Sequence, residues 1–126
     1  MKRLVMAIAL ILITVTTGII SLIVIDKVEE KMVSKLDNII KWVNEENSTQ
    51  LNKAIDDTFK QWDKEKPIMN ILIGQQETNE ITADLKMIEH FSVNGDKSAL
   101  LLYIYECKTD LEKIKTTNEP SLSTIF

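Results

Sequence analysis

The sequence contains a long uncharged stretch close to its amino terminus. Leu4 to Ile25 are 22 residues without a charge, directly after Lys2 and Arg3, and 14 of them are Leu, Ile or Val. As a helix rising about 1.5 Å per residue, this stretch would be roughly 33 Å long, close to the ~30 Å core of a bilayer. It therefore predicts a helix that contacts the lipid bilayer through Leu4–Ile25.

An apolar amino-terminal stretch can also be a soluble core helix or a cleaved signal peptide. A core helix normally carries a polar stripe, whereas this stretch is apolar on all sides, which favours membrane insertion. A signal peptide needs small residues at its cleavage site, and Thr16-Thr17-Gly18 are the nearest candidates. Seven further residues, six of them apolar, run from Ile19 to Ile25 and favour an uncleaved anchor. A cleaved, secreted domain is the alternative.

The charges that flank the apolar stretch indicate its orientation and its partners. Lys2 and Arg3 make the amino-terminal end positive, so that end is expected in the cytoplasm and the 101 residues after Ile25 outside it. Those residues carry 13 lysines and 19 carboxylates, a formal charge of −6. An acidic balance without a basic patch argues against nucleic acid as a partner. The single cysteine, Cys107, excludes an internal disulfide.

The rest of the chain has the apolar spacing of amphipathic helices. The pattern predicts helices near 27–45, 48–66, 68–93 and 97–116, with Pro67 opening the third and Asn94-Gly95-Asp96 turning into the fourth. The expected core positions are Met32, Leu36, Ile39, Val43, Leu51, Ile55, Phe59, Trp62, Ile81, Leu85, Ile88, Leu100, Ile104, Cys107, Leu111 and Ile114. The predicted fold is all-α: a transmembrane helix within 1–25, an extracytoplasmic four-helix bundle of two hairpins over 26–118, and an apolar tail over 119–126.

The two predicted hairpins have similar apolar patterns. A shift of 49 residues maps Met32, Leu36, Ile39, Leu51, Ile55 and Trp62 onto Ile81, Leu85, Ile88, Leu100, Ile104 and Leu111. An internal duplication would give this match, and so would two unrelated amphipathic hairpins of similar length.

Three short patterns are typical of solvated helix surfaces and caps. Asn47-Ser48-Thr49 has the form of a glycosylation sequon, but a helix cap at Asn47 explains it equally well. Asp37 with Lys41, and Asp56 with Lys60, have the i, i+4 spacing of surface ion pairs.

Few residues suggest chemistry. Cys107 lies in the apolar stripe of the fourth helix, as a buried inert thiol would, and His90, the only histidine, lies beside Glu89 as a solvated side chain would. The carboxylate doublets Glu29-Glu30, Glu45-Glu46 and Asp56-Asp57 point in diverging directions on a helix. The sequence therefore predicts no catalytic residues, no metal ligands and no cofactor. A disulfide between two chains would require an exposed Cys107.

Apolar residues in excess of the core positions suggest a contact with another protein. Leu101, Leu102, Tyr103 and Tyr105 exceed what one buried stripe needs, so the fourth helix is either central in the bundle or covered by a partner. Trp42 lies one position beside the stripe of its helix, at the edge of the core or in a contact. The predicted partner-binding residues are Trp42, Leu101, Leu102, Tyr105, Leu122, Ile125 and Phe126.

The order of these elements resembles that of a known family. The landmarks are the anchor, Trp62 with Pro67, Ile71-Leu72-Ile73, Glu77, Ile81, Leu85 and the ending Ser121–Phe126. They resemble domain-of-unknown-function family 4363, short membrane-anchored proteins of clostridia-like Gram-positive bacteria. The resemblance implies location and architecture, hints at a role in sporulation or the cell envelope, and implies no activity.

The chain departs from that family in one stretch. Family members often read Ile-Asp-His-x-Glu-Ile-Asp after the tryptophan helix. Here Gly74 and Gln75 stand in place of the aspartate and the histidine, and Asn79 stands in place of the second aspartate. Any acid–base or metal role of that motif would lose its ligands in this chain.

The sequence therefore predicts a membrane-anchored, non-enzymatic accessory or scaffold protein of the cell envelope. Its expected partners are the bilayer and another membrane or envelope protein, with a second copy of the chain as a further option. The alternative is an extracytoplasmic enzyme or small-ligand sensor with a pocket between the two hairpins. A convergent polar cavity would favour that alternative, whereas a closed dry core with an exposed apolar patch would favour the accessory protein.

Overall fold

The chain folds into four helices. The computed structural model describes the backbone of residues 1–125 and the side chains of residues 1–114. The helices are α1 (Lys2–Asn44), α2 (Ser48–Ile73), α3 (Gln75–Asn94) and α4 (Lys97–Ile125). Within this described part of the chain there is no strand, so the predicted all-α class is confirmed.

Helix α1 combines two helices that the sequence analysis placed separately. The predicted anchor over 4–25 and the predicted bundle helix near 27–45 form one unbroken helix of 43 residues. No glycine or proline lies between Gly18 and the end of α1, so nothing in the sequence interrupts the hydrogen-bond ladder. The apolar amino-terminal segment therefore enters the bundle without a linker.

The predicted boundary at Pro67 is wrong. Helix α2 runs through Pro67 to Ile73, and α3 begins at Gln75 instead of near residue 68. A proline inside a helix removes one hydrogen bond, here the one to the carbonyl of Asp63, but burial of Met69 at 1% exposure favours continuation. The turn falls at Gly74, whose φ of 99° and ψ of 160° lie in a region that is accessible essentially to glycine alone.

Replacement of Gly74 by alanine is expected to lower the free energy of unfolding by about 1–3 kcal/mol. Alanine would have to adopt the positive φ of this position, and its Cβ would lie 3.2 Å from Oε2 of Glu77. Gly95→Ala is the matched control, because Gly95 has a φ of 72° in the left-handed helical region and a Cβ added there would meet no atom within 4 Å. Denaturant unfolding should show the larger loss at position 74; equal losses would contradict the assignment of this turn to Gly74.

The four helices form an up-down-up-down bundle. Helix α1 packs against α2 and α4, and α3 packs against the same two helices. Two ion pairs show how neighbouring helices are aligned. Between α1 and α2, Lys31 Nζ lies 3.9 Å from Glu65 Oε1, and between α4 and α1, Lys108 Nζ lies 2.7 Å from Asp37 Oδ1. Short turns of this kind impose antiparallel neighbours and a single shared core.

The core contains the predicted apolar stripes. Trp62, at 1% exposure, donates a hydrogen bond from Nε1 to Oγ1 of Thr82 at 2.8 Å, so it joins α2 to α3. Leu51 and Phe59 are only half-buried. The buried apolar residues are Ile25, Val28, Met32, Leu36, Ile39, Val43, Ala54, Ile55, Trp62, Met69, Ile81, Leu85, Ile88, Leu100, Ile104, Cys107, Leu111 and Ile114.

The predicted local pairs are confirmed in part. Oδ1 of Asn47 accepts a hydrogen bond from the Gln50 backbone N–H at 3.2 Å and caps α2. Lys60 pairs with Asp56 at 3.1 Å. The expected pair of Asp37 with Lys41 is wrong, because Asp37 binds Lys108 of the neighbouring α4 instead.

Candidate functional site

The first half of α1 is an apolar rod, residues 4–20, on which no other part of the described chain packs closely. Its large hydrophobic side chains are 38–65% exposed. Three polar side chains along and just beyond it are satisfied within the helix, since Thr14, Thr17 and Ser21 donate to the carbonyls of Leu10, Ile13 and Thr17. Internal satisfaction is what a hydrocarbon surrounding demands. Helix α1 is thus long and apolar enough to cross a membrane.

The end of the bundle from which this rod leaves carries exposed apolar side chains. Ile25 is buried at 2% exposure, so the bundle starts where the rod stops. Ile25 lies six residues before Lys31, and the last turn of α2 lies about six residues after Glu65. Because the two helices are antiparallel, the Lys31–Glu65 pair places this last turn level with Ile25, roughly 9 Å from the ion pair. Two isoleucines of that part of α2 are exposed, Ile68 at 44% and Ile71 at 83%. Apolar surface therefore continues from the rod onto the bundle.

The outer face of α4 carries the predicted excess of apolar residues. Leu102 is 63% exposed and Tyr105 is 55% exposed, whereas Leu101 is half-buried against the core. Tyr103 stacks on Phe91 with ring centroids 5.3 Å apart. The ammonium of Lys108 lies 5.8 Å from the centre of the Tyr105 ring. Leu102 and Tyr105 are thus an exposed pair, three residues apart on one helix face.

Trp42 lies elsewhere, in a groove between the two hairpin turns at the end of the bundle opposite the rod. This groove has a volume of about 320 Å³, and Trp42 is half-buried beneath Nζ of Lys41, which lies 4.8 Å from the ring centre. Leu102 and Tyr105 are not part of its lining. The lining residues are Trp42, Val43, Glu46, Ser48, Leu51, Phe91, Ser92, Gly95, Lys97 and Leu100. The structure therefore separates Trp42 from the α4 pair.

Three carboxylates meet at the contact between α3 and α4. One oxygen each of Asp84, Glu106 and Asp110 can be chosen so that all three lie within 4.8 Å of one another. Asp84 is 7% exposed, Asp110 is half-buried and Glu106 is exposed. Burial raises the pKa of Asp84 from 3.8 to about 8, and a hydrogen bond with Asp110 and the negative charges of Asp110, Glu106 and Glu80 add to the shift. This group is called the carboxylate cluster below; it can hold a proton or a cation.

Cys107 and His90 do not form a pair. Cys107 has 0% exposure, and burial together with the nearby carboxylate cluster raises the pKa of its thiol. His90 is exposed, with Nε2 3.0 Å from Nδ2 of Asn94 and its ring edge-on to Phe91. The expected burial of the thiol and the expected exposure of the histidine are confirmed. Burial of Cys107 also removes the condition for a disulfide between chains.

Sequence reasoning missed the carboxylate cluster because it inspected adjacent doublets. The available signal was Asp84, which lies three residues after Ile81 and four before Ile88, inside the apolar stripe of α3. Glu106 and Asp110 have the i, i+4 spacing that places two side chains on one face. The predicted contact residues Leu122, Ile125 and Phe126 lie outside the residues whose side chains are described.

Comparison with known proteins gives one result. No curated protein and no solved structure matches the chain significantly. A family model described as a domain of unknown function (DUF4363) matches residues 19–125, which include the end of the apolar segment and the whole helical bundle. The chain therefore belongs to the DUF4363 family.

Proposed function

We propose that the protein is a single-pass, membrane-anchored accessory or scaffold protein that acts by binding another membrane or envelope protein. The observation that carries this proposal is the exposure of Leu102 and Tyr105 together on one face of α4, outside the buried apolar stripe of that helix. In this proposal it is non-enzymatic.

The apolar rod supports the anchored location. Its exposed side chains need a hydrocarbon surrounding, and Lys2 and Arg3 favour retention of the amino-terminal end in the cytoplasm. The bundle then lies on the extracytoplasmic side. Because α1 continues from the rod into the bundle without a break, the bundle stands directly on the bilayer, with Ile68 and Ile71 facing the interfacial region.

The position of the α4 pair restricts the partner. The Asp37–Lys108 ion pair places Tyr105 near the level of Ile40 on α1. Ile40 is 15 residues after Ile25, so the pair stands roughly 22 Å above the point where the rod leaves the bundle. Such a height suits a partner with its own domain at the membrane surface. Tyrosine and leucine in a small patch are typical of the energetic centre of an interface.

Combined replacement of Leu102 by lysine and Tyr105 by serine is expected to abolish recovery of the partner, because it removes the apolar centre of the contact and adds a charge there. The measurement is crosslinking in native cells, purification of a carboxyl-terminally tagged chain from washed membranes, and quantitative mass spectrometry. The wild-type chain should be recovered intact in membranes together with one stoichiometric membrane or envelope protein.

Val93→Lys is the matched control for this experiment. Val93 is 80% exposed and lies on α3 beside Asn52 and Ile55 of α2, so the substitution also replaces an exposed apolar side chain by a charge, on a different face of the bundle. It should leave recovery of the partner unchanged. Wild-type bait recovered alone, or equal recovery with the α4 double variant, would contradict the scaffold proposal. Recovery of a second copy of the chain, lost in the double variant, would make the partner the protein itself.

The groove between the hairpin turns supports a second candidate function, recognition of a small apolar ligand. Its volume of about 320 Å³ falls in the range of ligand sites, and Trp42, Leu51, Phe91 and Leu100 give it apolar walls. A ligand bound there would contact Trp42, so a saturable change in tryptophan fluorescence that is lost on Trp42→Phe would support this function. An unchanged spectrum across an apolar compound library would argue against it.

A further inference from the structure

The carboxylate cluster joins two helices that are neighbours in the bundle. Asp84 comes from the middle of α3, while Glu106 and Asp110 come from successive turns of α4. Their nearest oxygens lie within 4.8 Å of one another. Oxygens at this spacing can all lie within about 2.8 Å of one common point, which is close to the 2.3–2.6 Å ligand distance of Ca²⁺ and well above the ~2.1 Å of Mg²⁺.

One oxygen of the buried carboxyl group in the cluster has no hydrogen-bond partner. Asp84 is 7% exposed, and its Oδ2 is fully buried and has no hydrogen-bond partner. Among the described side chains, no lysine or arginine nitrogen lies within 4.0 Å of Asp84. A buried carboxylate oxygen without a donor is costly, so a positive charge has to be supplied from elsewhere or the group has to hold a proton.

The neighbouring surface is acidic and open to solvent. A shallow groove of about 130 Å³ beside the cluster is lined by Glu77, Glu80, Asp110, Lys113 and Ile114. Three carboxylates and one ammonium there leave a net negative field, which attracts small cations. Because Glu106 is exposed and Asp110 is half-buried, an ion can enter from this side and retain water molecules in its remaining coordination positions.

We propose that Asp84, Glu106 and Asp110 form a site for a divalent cation of the size of Ca²⁺, which ties α3 to α4. All three protein ligands are carboxylate oxygens, and the open side leaves positions for water. Hard cations such as Ca²⁺ prefer this kind of ligand set. The site lies apart from Leu102 and Tyr105, so its test is independent of the scaffold proposal. With three carboxylates and an open side, we expect an affinity in the range of about 10⁻⁴ to 10⁻³ M, as in extracellular Ca²⁺ modules.

The test uses the full-length chain in detergent micelles after treatment with a chelator. About 5 mM CaCl₂ is expected to raise the temperature of thermal unfolding by several degrees relative to NaCl of the same ionic strength, because a ligand that binds only the folded state stabilises it. MgCl₂ should give a smaller shift. Calorimetric titration with CaCl₂ should show saturable binding.

Two variants decide whether the cluster is the site. The double variant Glu106→Gln with Asp110→Asn keeps the fold, because both side chains reach solvent, and should weaken Ca²⁺ binding at least tenfold. Glu89→Gln changes an exposed carboxylate of α3 away from the cluster and should bind as the wild type does. A wild-type protein with no Ca²⁺-dependent shift beyond that of NaCl would overturn the proposal. So would equal shifts in the double variant and in Glu89→Gln.

Discussion

Replacement of Trp62 by alanine is expected to lower the free energy of unfolding by about 3–5 kcal/mol, the usual cost of truncating a fully buried aromatic side chain. The indole is 1% exposed, so its removal leaves a cavity at the contact of α2 with α3. It also removes the hydrogen bond from Nε1 to Oγ1 of Thr82 at 2.8 Å. Denaturant unfolding of the full-length chain in micelles, followed by far-ultraviolet circular dichroism, measures the loss.

The second tryptophan supplies the control for this substitution. Trp42 is half-buried at the edge of the groove between the hairpin turns, where its ring faces an open volume. Trp42→Ala should therefore cost less than Trp62→Ala, about 2 kcal/mol, since part of the ring is already exposed to solvent. A comparable loss in the free energy of unfolding at both positions would contradict the full burial of the Trp62 indole between α2 and α3.

Hydrophobic periodicity predicted most of the interior of the bundle, although Leu51 and Phe59 are only half-buried and the buried Val28, Ala54 and Met69 were missed. Met32, Leu36 and Ile39 on α1 and Ile81, Leu85 and Ile88 on α3 are all buried, as their spacing required. This prediction succeeded because a helix with one apolar stripe can bury it only by packing the stripe inward. The order and antiparallel arrangement of the helices followed from the short turns between them.

Local backbone signals were less informative. Proline at position 67 resembled a helix start, yet its missing N–H costs α2 a single hydrogen bond, which burial of residues on either side offsets. The turn at Gly74 depends on a backbone conformation that only glycine adopts easily. The presence of a glycine in the sequence does not show that this conformation is adopted, because glycine also occurs with ordinary backbone angles. Burial therefore outweighed the local preference of proline for a helix start, and the boundary between α2 and α3 lies at Gly74.

The candidate sites differ in how far the sequence could predict them. The sequence singled out Leu102 and Tyr105 as residues in excess of the buried stripe but left open whether a central helix buries them, and the structure shows that both are exposed. The carboxylate cluster was not expected, because it depends on the register between α3 and α4, which brings Asp84 opposite Asp110. A single sequence shows which side chains share a face of one helix, but it does not show which face of a second helix lies opposite them.

The continuity of α1 links the proposed membrane location of the protein to its proposed action. A bundle that continues into the apolar rod as a single helix cannot swing freely on a linker, so the positions of Leu102 and Tyr105 relative to the rod are set by α1. In the proposed arrangement, a partner in the same membrane would meet this pair at a defined distance from the bilayer. Insertion of a flexible linker after Ile25 would remove that restriction.

In chelator-treated protein, replacement of Asp84 by asparagine is expected to raise the free energy of unfolding at about pH 8.5 by about 1–3 kcal/mol, the usual cost of an unsatisfied buried polar or charged group. Asparagine has nearly the same shape and removes the negative charge from a position at 7% exposure beside Asp110 and Glu106. Glu89→Gln, which neutralises an exposed carboxylate of the same helix, should change stability by less than about 0.5 kcal/mol.

The benefit of Asp84→Asn should depend on pH in a defined direction. The pKa of Asp84 is raised from 3.8 to about 8 in the folded protein, so between these values the folded state holds a proton that the unfolded state has released. The contribution of Asp84 to stability is therefore fully present below about pH 4 and is lost as the pH rises towards 8. The wild type should therefore lose stability relative to Asp84→Asn between about pH 4 and pH 8. A difference between the two proteins that stays constant over this range would show that Asp84 is already ionised in the fold, and the burial of its side chain would then require a compensating charge from the protein itself.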